Sequence, residues 1–432
     1  MQNNMISLTR PKALLASAFR LVRFASFFGV MKLSSFFAML ILASLVGDSS
    51  VFGTIEFALT GGGFFAILLH AGLTGAYPYF VIQRGELAYR NSYFLHLLVV
   101  GIVVLLAQVA IVGFEMDWSW KWHLSLLLGA LFCTQFMLSV SCKSHQRIYA
   151  AAAIEGGLFI LINGYNFWLW QWGSGFDYAQ LVLILNAYLI VMLILVATQI
   201  NWQQLEGRRY FSLLRFGFPI ALTTFLSLGL TASGRLWIDY FLGTEVVAWY
   251  SWWFRLTILS VLFFQIVNTA FFKKIYQTAV TQLDNWFSLF LLGLTVLNIV
   301  LLSCFSTFGK THLLLSELPW QGQQLLIINL QFQMLFWIGT ALYENIIQRE
   351  QLANAFVKRL FMLVVLFPLL LFTLQSTTLL SLNSLCLVNA ALLFLATEIQ
   401  FRLLAKKQAV FTKTQGMTRA LIGVQVFINI MM

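Results

Sequence analysis

Long apolar runs separated by short polar turns make up most of the chain. A helix needs about 20 apolar residues to cross the hydrocarbon core of a bilayer, and twelve stretches reach that length. The pattern therefore predicts twelve membrane-spanning helices. A last apolar stretch, Leu421 to Met432, is too short to cross. The predicted spans are 24–46, 54–82, 92–114, 122–141, 149–170, 178–200, 216–243, 245–272, 285–308, 325–346, 356–377 and 379–401.

Composition supports this interpretation and excludes several classes of protein. Of the 432 residues, 60% are apolar, 16% are aromatic and only 9% are charged, whereas globular chains average about 25% charged residues. A cytosolic enzyme, a nucleic-acid-binding protein and a disulfide scaffold are therefore excluded. The predicted fold class is an all-α polytopic membrane protein, without a nucleic-acid partner or a cofactor.

The distribution of cations predicts how the spans are oriented. Of the 26 lysines and arginines, 19 precede the first predicted span, follow the last one or lie in alternate loops, and Lys358 and Arg359 lie in the first turn of the span that follows one of these loops. The opposite loops hold only Lys121 and Lys310. Cytoplasmic loops carry the excess of lysine and arginine, so both termini are predicted to be cytoplasmic. The net charge of +11 is thus explained by topology. No loop is long enough for a folded domain, so we expect the function to reside among the helices.

Three cations remain deep inside the predicted spans: Lys32, Arg235 and Arg255. Each costs about 2.5–3.5 kcal/mol at the centre of a membrane helix, so we do not expect them to face lipid. One interpretation is a cationic, water-filled cavity for an anionic substrate. The other is a set of ion pairs that only hold helices together.

Two acids are candidate partners or coupling groups. Asp239 follows Arg235 by four residues and shares its helix face, so for Arg235 a local ion pair is an alternative to a place in the cavity. Glu155 lies among alanines and glycines that allow close helix approach. It is either a site for a coupling proton or sodium ion, or one half of an interhelical ion pair.

Three further acids lie in the predicted spans, and we expect each to have a structural role. Glu56 begins the second predicted span, so we expect it near water. Glu344 and Glu398 lie close to predicted cytoplasmic ends, where we expect them to pair with nearby cations.

The chain contains a weak internal repeat. Leu45–Thr54 is similar to Phe241–Tyr250 at an offset of 196 residues, and each segment joins the first and second spans of a six-span half. Because each half has an even number of spans, the halves have the same orientation and are related by a pseudo-two-fold axis along the membrane normal. The predicted division is an N-terminal six-helix bundle (1–200), a cytoplasmic linker (201–215), a C-terminal six-helix bundle (216–402) and a cytoplasmic tail (403–432).

Several of these segments resemble one transporter family. Phe211–Pro219, Gly234–Gly243 and Val247–Tyr250 are similar to the seventh and eighth spans of Wzx-type polysaccharide flippases. These flippases belong to the multidrug/oligosaccharidyl-lipid/polysaccharide (MOP) exporter superfamily. The resemblance implies a V-shaped pair of six-helix bundles. It also implies a substrate made of a polyprenyl diphosphate that carries a short glycan. One departure is Gly234, where family members often have an acid.

The predicted function is that of a flippase for an O-antigen, capsule or exopolysaccharide repeat unit. It would move this unit from the cytoplasmic to the periplasmic leaflet by alternating access, with Lys32, Arg235 and Arg255 binding the head group and Pro219 providing a bend for gating. We expect a monomer in the bacterial inner membrane, with a glycan polymerase and chain-length proteins as partners. The alternatives are a cation-coupled multidrug or metabolite exporter and, less favoured because no external loop is long, a polysaccharide polymerase or ligase.

Overall fold

The computed structural model describes residues 11–46, 48–113, 119–173, 175–308, 324–407 and 409–431. In these residues the chain forms sixteen α-helices, a π-helical turn at Tyr79–Gln83 and a 3-10 turn at Trp202–Gln204, and no strand. Lys310, one of the two cations assigned to the opposite loops, lies outside the described residues. The helices are α1 (Pro11–Val46), α2 (Ser49–His70), α3 (Leu73–Pro78), α4 (Tyr89–Gly113), α5 (Trp120–Ser144), α6 (Ile148–Trp172), α7 (Tyr178–Ala197), α8 (Gly207–Thr231), α9 (Gly234–Leu242), α10 (Thr244–Thr257), α11 (Leu259–Gln277), α12 (Val280–Phe308), α13 (Gln324–Arg349), α14 (Ala353–Ser376), α15 (Leu382–Ala405) and α16 (Thr412–Met431).

The predicted all-helical polytopic fold is confirmed. Within the described residues, eleven helices are long and apolar enough to cross a membrane, and α10 with α11 forms a twelfth candidate bent by 53°. Helix α1 is one continuous helix of 36 residues.

Three predicted spans are interrupted. The second, 54–82, breaks between α2 and α3 at Ala71 and Gly72, whose φ angles are 49° and 73°. The seventh, 216–243, breaks between α8 and α9, and the eighth, 245–272, bends between α10 and α11. Hydropathy missed these breaks because each is only one or two residues long, so the mean hydropathy of a window that spans it stays high. Pro219 lies inside α8, which continues to Thr231 before it ends.

The helices form two lobes with separate apolar cores. In the N-lobe, α1 packs on α6 and α2 on α5; in the C-lobe, α13 packs on α15 and α8 on α14. The C-lobe core is one large cluster of residues from α8 to α16. We call the end of the lobes that carries Arg84, Lys143 and Arg349 the basic face. The end that carries Asp48 and Gly243 is the opposite face.

Asp48 starts the second helix at the opposite face. Its carboxylate accepts a hydrogen bond from the Ser50 backbone N–H at 2.7 Å, which caps α2. Hydrogen bonds from Ser50 lower the pKa of this carboxyl below its usual value. The cap fixes the start of α2 at Ser49, five residues before the predicted span.

The last helix, α16, runs along the C-lobe. At its start the Asp284 carboxylate accepts hydrogen bonds from the backbone N–H groups of Lys413 and Thr414, each at 3.1 Å. At its end Asn429 donates to Asn329, near the start of α13, at 2.9 Å. These contacts tie α16 to the basic-face end of α12 and to the opposite-face end of α13.

Residues 403–432 therefore contain a helix about as long as the bilayer core is thick, since 20 residues rise about 30 Å. The apolar stretch that begins at Leu421 is only its second half. A cytoplasmic C-terminus remains a prediction. Helix α16 is not among the helices that are apolar enough by themselves to cross a membrane, but its contacts with α12 and α13 run from the basic face to the opposite face.

Candidate transport site between the lobes

Three charged side chains meet deep in the interface between the lobes. Glu56 of α2 lies 3.4 Å from the Arg235 Nε of α9. It also accepts a hydrogen bond at 3.1 Å from the Arg255 Nε of α10, with the Arg255 Nη2 in closer contact. The exposed fractions of the three side chains are 1%, 11% and 14%. We call Glu56, Arg235 and Arg255 the central cluster.

The surroundings of the central cluster hold Arg235 in place. Its Nε donates to the Ser251 hydroxyl at 2.9 Å, and its guanidinium lies 4.4 Å from the centre of the Phe254 ring. Counted from the helix ends at Ser49 and Leu242, Glu56 and Arg235 each lie about 10 Å inside the opposite face. Two guanidinium groups and one carboxylate leave the cluster with a net charge of +1, so it is suited to accept an anion.

A second ion pair joins the lobes nearer the opposite face. The Lys121 Nζ of α5 lies 3.1 Å from both carboxylate oxygens of Asp239, and the Thr244 hydroxyl donates to the same carboxylate at 2.6 Å. Asp239 therefore pairs with the N-lobe, and Arg235 pairs with Glu56, so the interpretation of a local pair between Asp239 and Arg235 does not hold. The two repeated segments of the sequence also meet here, because a Cβ added to Gly53 would lie 2.7 Å from the Thr244 carbonyl oxygen.

The lobes also touch at the basic face. Gly72 lies against Gly217 so closely that a Cβ on Gly72 would be 1.9 Å from the Gly217 carbonyl oxygen. Gln351 donates to the Tyr79 hydroxyl at 2.7 Å, and the Tyr79 ring stacks on Phe216 with 4.5 Å between ring centres. The lobes thus contact each other at both faces, with the central cluster between these contacts, and we call this arrangement the closed state.

Lys32 lies in a different cluster. Its Nζ is 2.9 Å from the Glu155 carboxylate, which also contacts the Lys143 Nζ at 2.5 Å and accepts from the Ser139 hydroxyl at 2.6 Å. All four residues belong to the N-lobe helices α1, α5 and α6. The structure thus brings together two of the three predicted cations, Arg235 and Arg255, and places the third elsewhere. Glu155 forms the interhelical ion pair that the sequence left as one of two alternatives.

The role of Glu56 differs from the one that its sequence position predicts. The prediction that it lies near water is wrong, because its side chain is 1% exposed and contacts both arginines. The error follows from the late predicted start of the second span, which placed Glu56 too close to the surface. The Asp48-Ser49-Ser50 cap was the available signal for the true start.

The other two acids, Glu344 and Glu398, differ in whether they form an ion pair. Glu398 pairs with Arg419 at 2.8 Å, as expected of a carboxylate near a cation-rich end. Glu344 instead accepts a hydrogen bond from the Thr224 hydroxyl at 2.8 Å and has no ion-pair partner among the described residues. It lines a cavity of about 100 Å³ together with Ser227 and Thr340.

Two larger cavities lie between the lobes. One, of about 490 Å³, has mainly apolar walls, and we call it the lateral cavity. The other, of about 400 Å³, lies at the basic face and is lined by Arg84, Arg215 and Gln351 among others. Aromatic side chains of the lateral cavity come from both lobes and include Phe57, Phe64, Trp122, Phe225, Trp237 and Phe367.

The fold is similar to that of solved MATE transporters. The chain aligns with a MATE protein in complex with MaL6 at a TM-score of 0.60 and 14% identity, covering 93% of this chain and 96% of that one. An outward-facing multidrug resistance MATE family transporter of the MOP superfamily aligns at a TM-score of 0.58 and 13% identity, with the same coverage.

A MOP superfamily transporter from Pyrococcus furiosus, described as having a binding pocket of reverse polarity, aligns at a TM-score of 0.53 and 12% identity, covering 93% and 96% of the two chains. Neither a protein-family model nor a curated protein sequence matches the chain. At these identities the similarity concerns the fold, so the chain has the two-lobed, all-helical fold of MATE transporters.

Proposed function

We propose that this protein is an exporter that works by alternating access and carries an anionic lipid-linked glycan, a polyprenyl diphosphate with a short oligosaccharide. The observation that carries the proposal is the central cluster, in which two buried guanidinium groups share a single carboxylate at the lobe interface. The bacterial inner membrane, a single-chain transporter and a glycan polymerase with chain-length proteins as partners belong to the same proposal.

The geometry of the central cluster links substrate binding to lobe movement. Glu56 is the N-lobe's contribution to the cluster, and both arginines belong to the C-lobe. A diphosphate accepts paired hydrogen bonds from guanidinium groups as a carboxylate does. When it binds Arg235 and Arg255 it replaces Glu56, and the ion pairs that hold the lobes together at this depth are lost. Binding of the substrate therefore weakens the closed state.

The lateral cavity fits the other part of the substrate. Its aromatic and apolar walls lie between α2 and α5 of one lobe and α8, α9 and α14 of the other. Burial of apolar surface there favours the polyprenyl chain by about 25 cal/mol per Å². The membrane potential supplies a driving force, because each negative charge moved outward from a negative interior gains about 2.3 kcal/mol per 100 mV.

Charge-removing variants test the proposal. In Arg235→Gln and Arg255→Gln, we expect lipid-linked glycan to accumulate on the inner leaflet while the protein remains in the membrane. Lys32→Gln is the matched control, since Lys32 is a deep cation that makes no contact with the central cluster. Normal export by both arginine variants would refute the assignment of the head-group site.

One observation favours the second candidate, a cation-coupled multidrug or metabolite exporter. The Glu344 carboxyl faces hydroxyl groups in a small cavity, and no cation of the described part of the chain pairs with it, an arrangement suited to a proton or sodium ion. If this candidate is correct, Glu344→Gln abolishes cation-dependent export of a dye from vesicles, and the two arginine variants still transport it. Loss of glycan export in the arginine variants with normal export in Glu344→Gln decides for the lipid-linked glycan.

A further inference from the structure

A further cationic pocket lies within the N-lobe at the basic face, away from the central cluster and from the cavity that Arg84 and Arg215 line. It has a volume of about 340 Å³, within the usual range for ligand sites. It opens among the basic-face ends of α4, α5, α6 and α7 and takes no part in the transport mechanism proposed above. We call it the α4–α7 pocket.

The charges of this pocket are not neutralised by acids. Arg90 and Arg147 both line it, and neither has a carboxylate partner among the described residues. Glu155, the acid on α6, is already occupied by Lys143 and Lys32. The pocket therefore carries two positive charges.

Arg90 is held in a fixed position. Its Nη2 donates to the Gln199 side-chain oxygen at 2.7 Å, and its guanidinium lies 5.5 Å from the centre of the Phe94 ring. Its Nε is buried and has no hydrogen-bond partner. A guanidinium fixed in this way loses little conformational freedom when it binds an anion.

Polar groups of Ser141, His145 and Gln199 line the pocket beside the arginines, and the rest of the wall is mainly apolar and continues onto the outer surface of the lobe. Leu138, Ile154 and Met192 line the pocket beside Leu195, which is 55% exposed on α7. In a membrane-spanning lobe, such an exposed leucine contacts lipid chains. The pocket thus combines cations at the basic face with an apolar wall that leads toward the bilayer core.

We propose that the α4–α7 pocket binds the phosphate head group of an anionic membrane phospholipid. Arg90 and Arg147 contact the phosphodiester, and an acyl chain lies along Ile154 and Leu195. Basic pockets between membrane helices at the cytoplasmic side are typical sites for anionic lipid head groups. The apolar wall favours a lipid over a soluble phosphate, which would leave that wall exposed to water.

Cys142 provides a built-in reporter, because it lines the pocket and is partly exposed. The full chain is purified in dodecyl maltoside, which contains no phosphorus. The rate at which N-ethylmaleimide modifies Cys142 is then read from the mass of its peptide. We expect phosphatidylglycerol to slow this reaction. In Arg90→Gln or Arg147→Gln, the concentration that halves the rate should rise about tenfold, since a hydrogen bond to a charged group is lost.

Lys358→Gln/Arg359→Gln is the matched control, because it removes two charges from α14 in the other lobe and should leave the protection unchanged. Equal protection of the wild type and both pocket variants overturns the proposal. Equal protection by inorganic phosphate overturns the lipid as the source of the anion, and equal protection by phosphatidylcholine overturns the need for an anionic head group. If a variant proves unstable, the wild type is tested alone, by measuring which phospholipids stay bound to it after purification in detergent. Equal amounts of bound phosphatidylglycerol and phosphatidylcholine overturn the proposal.

Discussion

Glu56→Gln tests whether the central cluster holds the closed state together. Glutamine keeps the shape of the side chain and removes its charge. The variant then leaves two guanidinium groups, 11% and 14% exposed, without a carboxylate. Arg235 retains the Ser251 hydroxyl and the Phe254 ring, and neither of them neutralises the charge.

The expected loss is large for one substitution. Removing one partner from a buried ion pair costs about 3–5 kcal/mol. The lower end applies here, because the cluster lies at an interface where the lobes can separate and let water reach the arginines. We therefore expect a loss of about 3 kcal/mol from the closed, folded state. The double variant Glu56→Gln/Arg255→Gln should lose less than the sum of its two single variants, with a coupling of about 0.5–3 kcal/mol.

Thermal unfolding in detergent, followed by intrinsic tryptophan fluorescence, measures these differences. The midpoint of Glu56→Gln should fall by several degrees. Glu206→Gln is the control: it makes the same substitution in the exposed pair with Arg209, where one partner is 53% exposed and the expected loss is at most about 1 kcal/mol. Equal midpoints for Glu56→Gln and Glu206→Gln would show that the buried pair does not stabilise the closed state.

Other predictions concern the lobe contacts and the last helix. Gly217→Ala should push the lobes apart at the basic face, because the new Cβ would lie 2.7 Å from the Ala71 carbonyl oxygen. We expect faster labelling of cysteines introduced at that side of the interface, although alanine normally stabilises a helix by about 1 kcal/mol over glycine. Gly53→Ala should do the same at the opposite face, and Gly63→Ala, with its nearest new contact at 3.6 Å, should change neither; equal labelling in all three would refute the steric argument. Asp284→Asn should weaken the start of α16 by about 1 kcal/mol, seen as faster proteolysis after Ala405, whereas an unchanged rate would contradict the cap. A reporter fused after the last residue should be active on the side opposite an N-terminal reporter, and activity on the same side would show that α16 does not cross.

The hydrophobic pattern was sufficient to predict the helical fold, because apolar length is a local property. It placed most helices within a few residues and found the two repeated segments that meet at Gly53 and Thr244. It could not locate the breaks after His70, Thr231 and Thr257, since each break is only one or two residues long and barely changes the mean hydropathy of the surrounding segment.

For the charged residues, too, the sequence determined one part of the result and the tertiary structure determined the other. The sequence by itself identified Arg235, Arg255 and Lys32 as costly inside a membrane, because the desolvation of a cation depends on depth and depth follows from position in a span. Only the tertiary structure decided which of them act together, since ion pairs form between helices that are distant along the chain. It joined Arg235 and Arg255 to Glu56 across the lobe interface and enclosed Lys32 with Glu155 inside the N-lobe.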